Sequence, residues 1–268
     1  EWSIYPLIPF KPVVETEKDA FLPTTPQILA KNLKTAVPFM TGITSGEGAM
    51  VAAKFYADHL VPELDKKFEK LGPMTLFLNS TSPQTPEMNK DIKKFYFGDE
   101  HITDSSVSRV VDLYTDSWFL QGANQAIKLL LGKGSPVYYY YFAYRGSRSL
   151  SEIFDDTVRD YGVCHADELL YLFPRITFFP GEEPSEEDEE IIDIMITLWT
   201  NFAKFGDPTP TPVEGKKWPN VTNPEDLEYL QIDKDGLHVK QGLRKESTKF
   251  WDLLSQLSHS VSSEKDEL

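Results

Sequence analysis

The chain has a single cysteine, Cys164, among 268 residues. One thiol forms no internal disulfide and no cysteine-rich metal site. No apolar run approaches the ~20 residues that cross a bilayer, so no membrane span is expected. Positive charge is scarce: 27 lysines and arginines stand against 42 aspartates and glutamates, a formal net charge of −15. A surface this acidic repels phosphate backbones, which argues against nucleic-acid binding as the main role. The histidines are His59, His101, His165, His238 and His259. None pairs at the H-x-x-x-H spacing of a helical zinc site, so neither a metal nor another cofactor is implied.

The ends are also informative. Glu1-Trp2-Ser3-Ile4-Tyr5-Pro6 lacks the basic start and apolar stretch of a secretory leader, and the expectation is that a segment has been removed upstream. The last residues, Lys265-Asp266-Glu267-Leu268, spell KDEL, an ER-retention address read by a receptor. The expectation is an ER-lumenal protein with the KDEL receptor as a partner. Two sequons, Asn79-Ser80-Thr81 and Asn220-Val221-Thr222, are expected glycosylation sites and fit that compartment.

No internal repeat is visible. Prolines at 6, 9, 12, 23 and 26 make the first stretch extended or irregular. Residues 37–43 read as a short buried strand, ending at the turn-prone Thr44-Ser45-Gly46-Glu47-Gly48. Helical spacing follows over 49–71, broken near Pro62, then over 86–96 and 103–131, with an exit at Gly132-Lys133-Gly134. Pro136 to Phe142, with its four tyrosines, reads as a buried strand. Residues 185–205 give the clearest helix, capped by Ser185, with an acidic first turn and an apolar stripe of Ile191, Ile194, Met195, Leu198, Trp199, Phe202 and Phe205. The acidic run 182–190 reads as its solvated start. Residues 230–239 form a hairpin turning at Asp235-Gly236, and a last helix covers 243–257. Strands alternating with helices give an α/β fold with about four strands.

His165 lies in a loop that follows a strand, where α/β folds place reactive groups. By itself it reads either as a hydrogen-bonded loop histidine or as a base. His59 and His259 fall on expected exposed helix faces, and His238 in the hairpin. Glu47, between two glycines just past the strand at 37–43, can accept the Nδ1 proton of His165 and fix its tautomer. Acid before histidine is the order of α/β-hydrolases, but their G-x-S-x-G elbow is absent: Gly42-Ile43-Thr44-Ser45-Gly46 and Arg145-Gly146-Ser147-Arg148-Ser149 do not match it. Cys164 beside His165 reads as a spare small residue, because neighbouring side chains on an extended loop point apart.

These residues resemble the C-terminal half of a type-B carboxylesterase, the family of cholinesterases and juvenile hormone esterases, in an insect-like version. The resemblance rests on Phe10-Lys11-Pro12-Val13-Val14-Glu15 with Phe21-Leu22-Pro23, on Gly42-Ile43-Thr44-Ser45-Gly46-Glu47-Gly48, and on Gly162-Val163-Cys164-His165-Ala166-Asp167-Glu168-Leu169. It continues through Trp199-Thr200-Asn201-Phe202-Ala203-Lys204-Phe205-Gly206-Asp207-Pro208, Trp218-Pro219 and Tyr229-Leu230. It implies an α/β fold in which residues 1–268 are the C-terminal portion of one α/β-hydrolase domain, with a mostly parallel central sheet flanked by helices and residues 265–268 as the retention signal. It makes Glu47 the triad acid and His165 the base, puts Trp118 and Phe119 at the acyl pocket, and implies a small apolar carboxylic ester as substrate. A chain with acid and base but no nucleophilic serine is expected to be inert alone. The alternative from another class is a non-catalytic, cholinesterase-like adhesion or ER-resident binding protein.

Overall fold

The computed structural model describes residues 10, 12–34, 36–154, 156, 158–174 and 178–260. The chain begins with a short helix that the sequence reading missed, α1 (Pro26–Lys31), with proline in its first turn where no amide partner is needed. Strand β1 (Phe39–Thr44) follows, then α2 (Ala49–Ala57), α3 (Val61–Lys66), α4 (Phe68–Thr75) and α5 (Thr85–Phe97). The helical stretch after β1 breaks at His59, whose φ of 56° no helix accommodates, and Pro62 opens the next helix. His59 thus sits in a break and not on a helix face.

The long helical stretch expected over 103–131 is a composite. It contains α6 (Val107–Thr115), a π turn (Asp116–Leu120) and α7 (Gln121–Leu131). A π turn inserts one residue into the helical repeat and rotates the side chains that follow. Strand β2 (Val137–Phe142), α8 (Glu186–Phe205), the hairpin β3 (Glu228–Asp233) and β4 (Gly236–Gln241), and α9 (Lys245–Ser260) complete the order.

The sheet runs β1-β2-β3-β4, with β1, β2 and β3 parallel and β4 antiparallel to β3. The two-residue period of β2 sends Tyr138, Tyr140 and Phe142 toward α8, and Val137, Tyr139 and Tyr141 toward α7. Met195 and Leu198 of α8 meet the first set, and Leu120 and Ile127 meet the second. A third cluster packs α2 to α6 against Trp251 of α9. β1 is buried only at its end: Ile43 is 2% exposed, whereas Phe39 is 37% exposed and Val37 just before it 57%. It has a neighbour on one side only among the described residues, so a fully buried strand is not formed.

The cap of α8 is as expected at Ser185, which accepts the Asp188 N–H and closes a reciprocal capping box. The acidic run is not wholly solvated, however. Asp188 is fully buried and accepts hydroxyls from Ser147 at 2.6 Å and Tyr144 at 3.2 Å. Phe205, placed on the apolar stripe, is 64% exposed at the helix end.

Candidate active site

The turn after β1 brings Glu47 to the carboxyl end of the sheet, where two glycines hold it. Gly46 donates its N–H to the Val163 carbonyl at 2.9 Å, and a Cβ there would come within 3.0 Å of that oxygen. Gly48 donates to the Thr115 hydroxyl at 2.9 Å, and its Cβ would lie 2.2 Å from the Val111 carbonyl oxygen of α6. Ser45 N–H donates to Phe142 at the end of β2. The turn is therefore stitched to β2, to α6 and to the segment before His165.

Glu47 is 4% exposed, and both its oxygens are used. Oε1 accepts the Thr44 N–H at 2.7 Å, and Oε2 accepts from His165 Nδ1 at 2.6 Å. The imidazole side chain is 44% exposed, and among the described residues no hydrogen bond reaches Nε2. The Glu47 hydrogen bond raises the His165 pKa above its ordinary value, with burial opposing and the charges of Glu47, Glu168 and Asp167 adding.

The histidine loop is held by two acids, Asp160 exposed and Asp167 buried. Asp160 accepts the Gly162 N–H at 3.0 Å, and Ala166 takes a left-handed conformation at φ 66°. Asp167 accepts Leu150 N–H at 2.6 Å, Cys164 N–H at 2.7 Å and the Ser149 hydroxyl at 2.7 Å. Burial pushes its pKa up to about 6 against those bonds. Glu168 lies in the first turn of the short 3-10 helix Asp167–Tyr171. The Tyr140 hydroxyl reaches one of its oxygens at 3.3 Å, and the other is buried without a hydrogen-bond partner among the described residues. Burial first, and then the Glu47 charge, push the Glu168 pKa up to about 7. Adjacency to His165 was the sequence signal available for Glu168, but no local pattern reveals its burial. Cys164 is fully buried, which pushes its thiol up and leaves it a packing residue.

Phe119, on the π turn, lies against the imidazole with ring centroids 4.6 Å apart. Trp118 turns elsewhere: its indole N–H donates to the Thr75 carbonyl at 3.0 Å, and its ring meets Phe77 and Tyr114. The structure thus brings Glu47, His165 and Phe119 together and turns Trp118 away from them, toward α4. Asn79 and Asn220 are both exposed and distant in sequence from the pair. Lys265, Asp266, Glu267 and Leu268 lie outside the described residues. Among the described residues no group of three or more His, Cys, Asp or Glu could hold a metal, and no helix is long and apolar enough to cross a membrane.

A buried carboxylate that fixes a solvent-reaching imidazole through Nδ1 can orient it and stabilise its protonated form, while Nε2 exchanges a proton. A family model for the carboxylesterase family matches residues 2–251. The chain is 33% identical over 257 residues to the juvenile hormone esterase of Tribolium castaneum, covering 89% of this chain and 43% of that protein. It is 30% identical over 239 residues to venom carboxylesterase-6 of Apis mellifera, covering 86% and 42%. A solved juvenile hormone esterase from Manduca sexta, with OTFP covalently attached, superposes with a TM-score of 0.74 at 24% identity, over 92% of this chain and 47% of that one. The chain thus spans less than half the length of these relatives.

Proposed function

The chain belongs to the carboxylesterase family, and from that premise we propose that it carries the acid and the base of a serine carboxylic ester hydrolase whose nucleophile lies outside these 268 residues. The observation that carries the reading is the 2.6 Å contact between Glu47 Oε2 and His165 Nδ1, with Nε2 facing no protein partner among the described residues. In this mechanism Nε2 takes the proton of a serine hydroxyl as the oxygen attacks the ester carbonyl. Glu47 stabilises the imidazolium, and the proton passes to the leaving alcohol. Water then repeats the sequence on the acyl-enzyme. The sequence contains no G-x-S-x-G elbow, so the chain alone is inert. Phe119, tilted against the imidazole, forms part of an apolar wall suited to a small apolar ester.

The test is complementation. The chain is co-expressed with the N-terminal portion of the Tribolium castaneum juvenile hormone esterase and assayed on an aryl ester. Turnover is expected only from the pair, and His165→Ala is expected to reduce it by roughly 10⁴-fold or more. Hydrolysis by the chain alone that His165→Ala abolishes would place the nucleophile inside it and overturn the reading. The terminal Lys265-Asp266-Glu267-Leu268 supports residence in the ER lumen through the KDEL receptor. Deleting those residues should release the protein from the compartment, and unchanged retention counts against the signal.

A further inference from the structure

The two sequons share a motif and differ in geometry. Asn79 is exposed in the turn between α4 and α5. Thr81 donates both its N–H, at 3.1 Å, and its hydroxyl, at 2.8 Å, to Asn79 Oδ1. Two donors on the carbonyl oxygen draw electron density out of the amide and make an Nδ2 proton easier to remove. Among the described residues Nδ2 has no hydrogen-bond partner. The backbone carbonyl of Asn79 accepts the Thr85 hydroxyl at 2.5 Å. Each of these contacts spans six residues or fewer, so they lie within the turn's own segment.

At Asn220 the same elements are committed elsewhere. Thr222 gives its hydroxyl to Glu228 Oε1 at 2.6 Å and its N–H to Glu228 Oε2 at 3.0 Å. The Asn220 Nδ2 is directed at the Val221 carbonyl, 3.5 Å away. Trp218 and Val221, on either side, are 0% and 1% exposed, and the Val221 N–H donates to Val137 at 2.7 Å. This segment is pinned to β2, and the hydroxyl that would polarise the Asn220 amide belongs to Glu228.

We propose that Asn79 is the glycan acceptor and that Asn220 is withheld from modification by the Thr222–Glu228 pair. The inference is independent of the ester-hydrolase reading and requires only that the chain meets a lumenal oligosaccharyl transferase. The donor is a lipid-linked oligosaccharyl pyrophosphate. Asn79 Nδ2 bonds to the first sugar carbon, the bond from that carbon to the pyrophosphate oxygen breaks with its electron pair leaving on oxygen, and the Nδ2 proton passes to a base of the transferase.

The full chain is expressed into the ER of a eukaryotic host, and its lumenal location is verified by protease protection. Glycan occupancy is then read by mass spectrometry and by an endoglycosidase-sensitive mobility shift. Asn79→Gln should abolish the shift, and Asn220→Gln should leave it unchanged. Glu228→Ala should raise occupancy at Asn220 while leaving Asn79 as it was. A shift that survives Asn79→Gln, a lumenal chain bare at both positions, or occupancy at Asn220 equal to that at Asn79 would each overturn the proposal. An Asn220 that stays bare in Glu228→Ala overturns the role given to Glu228.

Discussion

Glu47 divides its two oxygens between the backbone that positions it and the ring it serves: Oε1 takes the Thr44 N–H, and Oε2 takes His165 Nδ1 at 2.6 Å. The first prediction follows from that division. Glu47→Gln retains an oxygen for Thr44 and removes the charge. The His165 pKa, raised chiefly by Glu47, should fall in the variant, as read by NMR titration of the ring. The sign for stability is equally defined. A histidine whose folded pKa is raised adds stability that is complete below its unfolded value of about 6.5 and is lost as pH rises through the folded value. The stability gap between the native chain and the variant should therefore narrow above about pH 6.5. An unshifted ring titration would mean that the contact does not control the imidazole.

Glu168 carries the opposite kind of burden, a carboxyl pushed up to about 7 by burial and by the Glu47 charge. Between its ordinary value of about 4.3 and 7 the folded state binds more protons than the unfolded one, so stability falls as pH rises through that window. Asp167, pushed up to about 6, adds the same sign lower down. Glu168→Gln should flatten the decline and gain on the native chain between about pH 4 and about pH 8, measured by denaturant midpoints. Parallel curves for the two proteins would sink the assignment.

These two carboxyls mark the boundary of what the sequence conveys. Glu47 and His165 lie 118 positions apart, yet each sits in a glycine-bearing turn or loop at a strand end, and local chemistry exposes both. Ser185 and the Asp235-Gly236 turn were legible for the same reason, since caps and turns are written in neighbouring residues. The π turn at Asp116–Leu120 was not, because apolar residues keep near-helical spacing across one inserted position. The burial of Asp188 inside an acidic run, and the half-open face of β1, depend on which distant elements pack there. No pattern along the chain reports that.

The seat of the acid turn can be tested by adding one carbon. Gly48→Ala places a Cβ 2.2 Å from the Val111 carbonyl and 2.8 Å from the Thr115 amide, both backbone atoms of α6 that cannot swing aside. Destabilisation of about 1–3 kcal/mol or more is expected. Gly122, near the start of α7, has nothing within 4 Å of the same position. Gly122→Ala should be neutral or stabilising by up to about 1 kcal/mol. Urea midpoints compare the two, and equal effects would mean that the turn does not rest on α6.

The π turn ties the imidazole wall to the last helix through a buried ion pair. Asp116, fully buried, accepts Arg244 Nε at 2.6 Å and the Tyr96 hydroxyl at 2.7 Å, and that hydroxyl accepts the Trp251 indole N–H at 2.7 Å. Arg244 also reaches Asp112 at 2.6 Å. Burial pushes the Asp116 carboxyl above its ordinary range, and Arg244 opposes it, so the guanidinium is what permits a charge there. Arg244→Met leaves that charge uncompensated and should cost about 3–5 kcal/mol. Asp116→Asn on the same background removes the orphaned charge, so the double variant should be less destabilised than the sum of the singles, as a double-mutant cycle in denaturant would show. Strict additivity would mean that Asp116 and Arg244 act separately. Coupling means that α9 is fastened to the turn carrying Phe119, three residues from Asp116, and through Phe119 to the His165 ring.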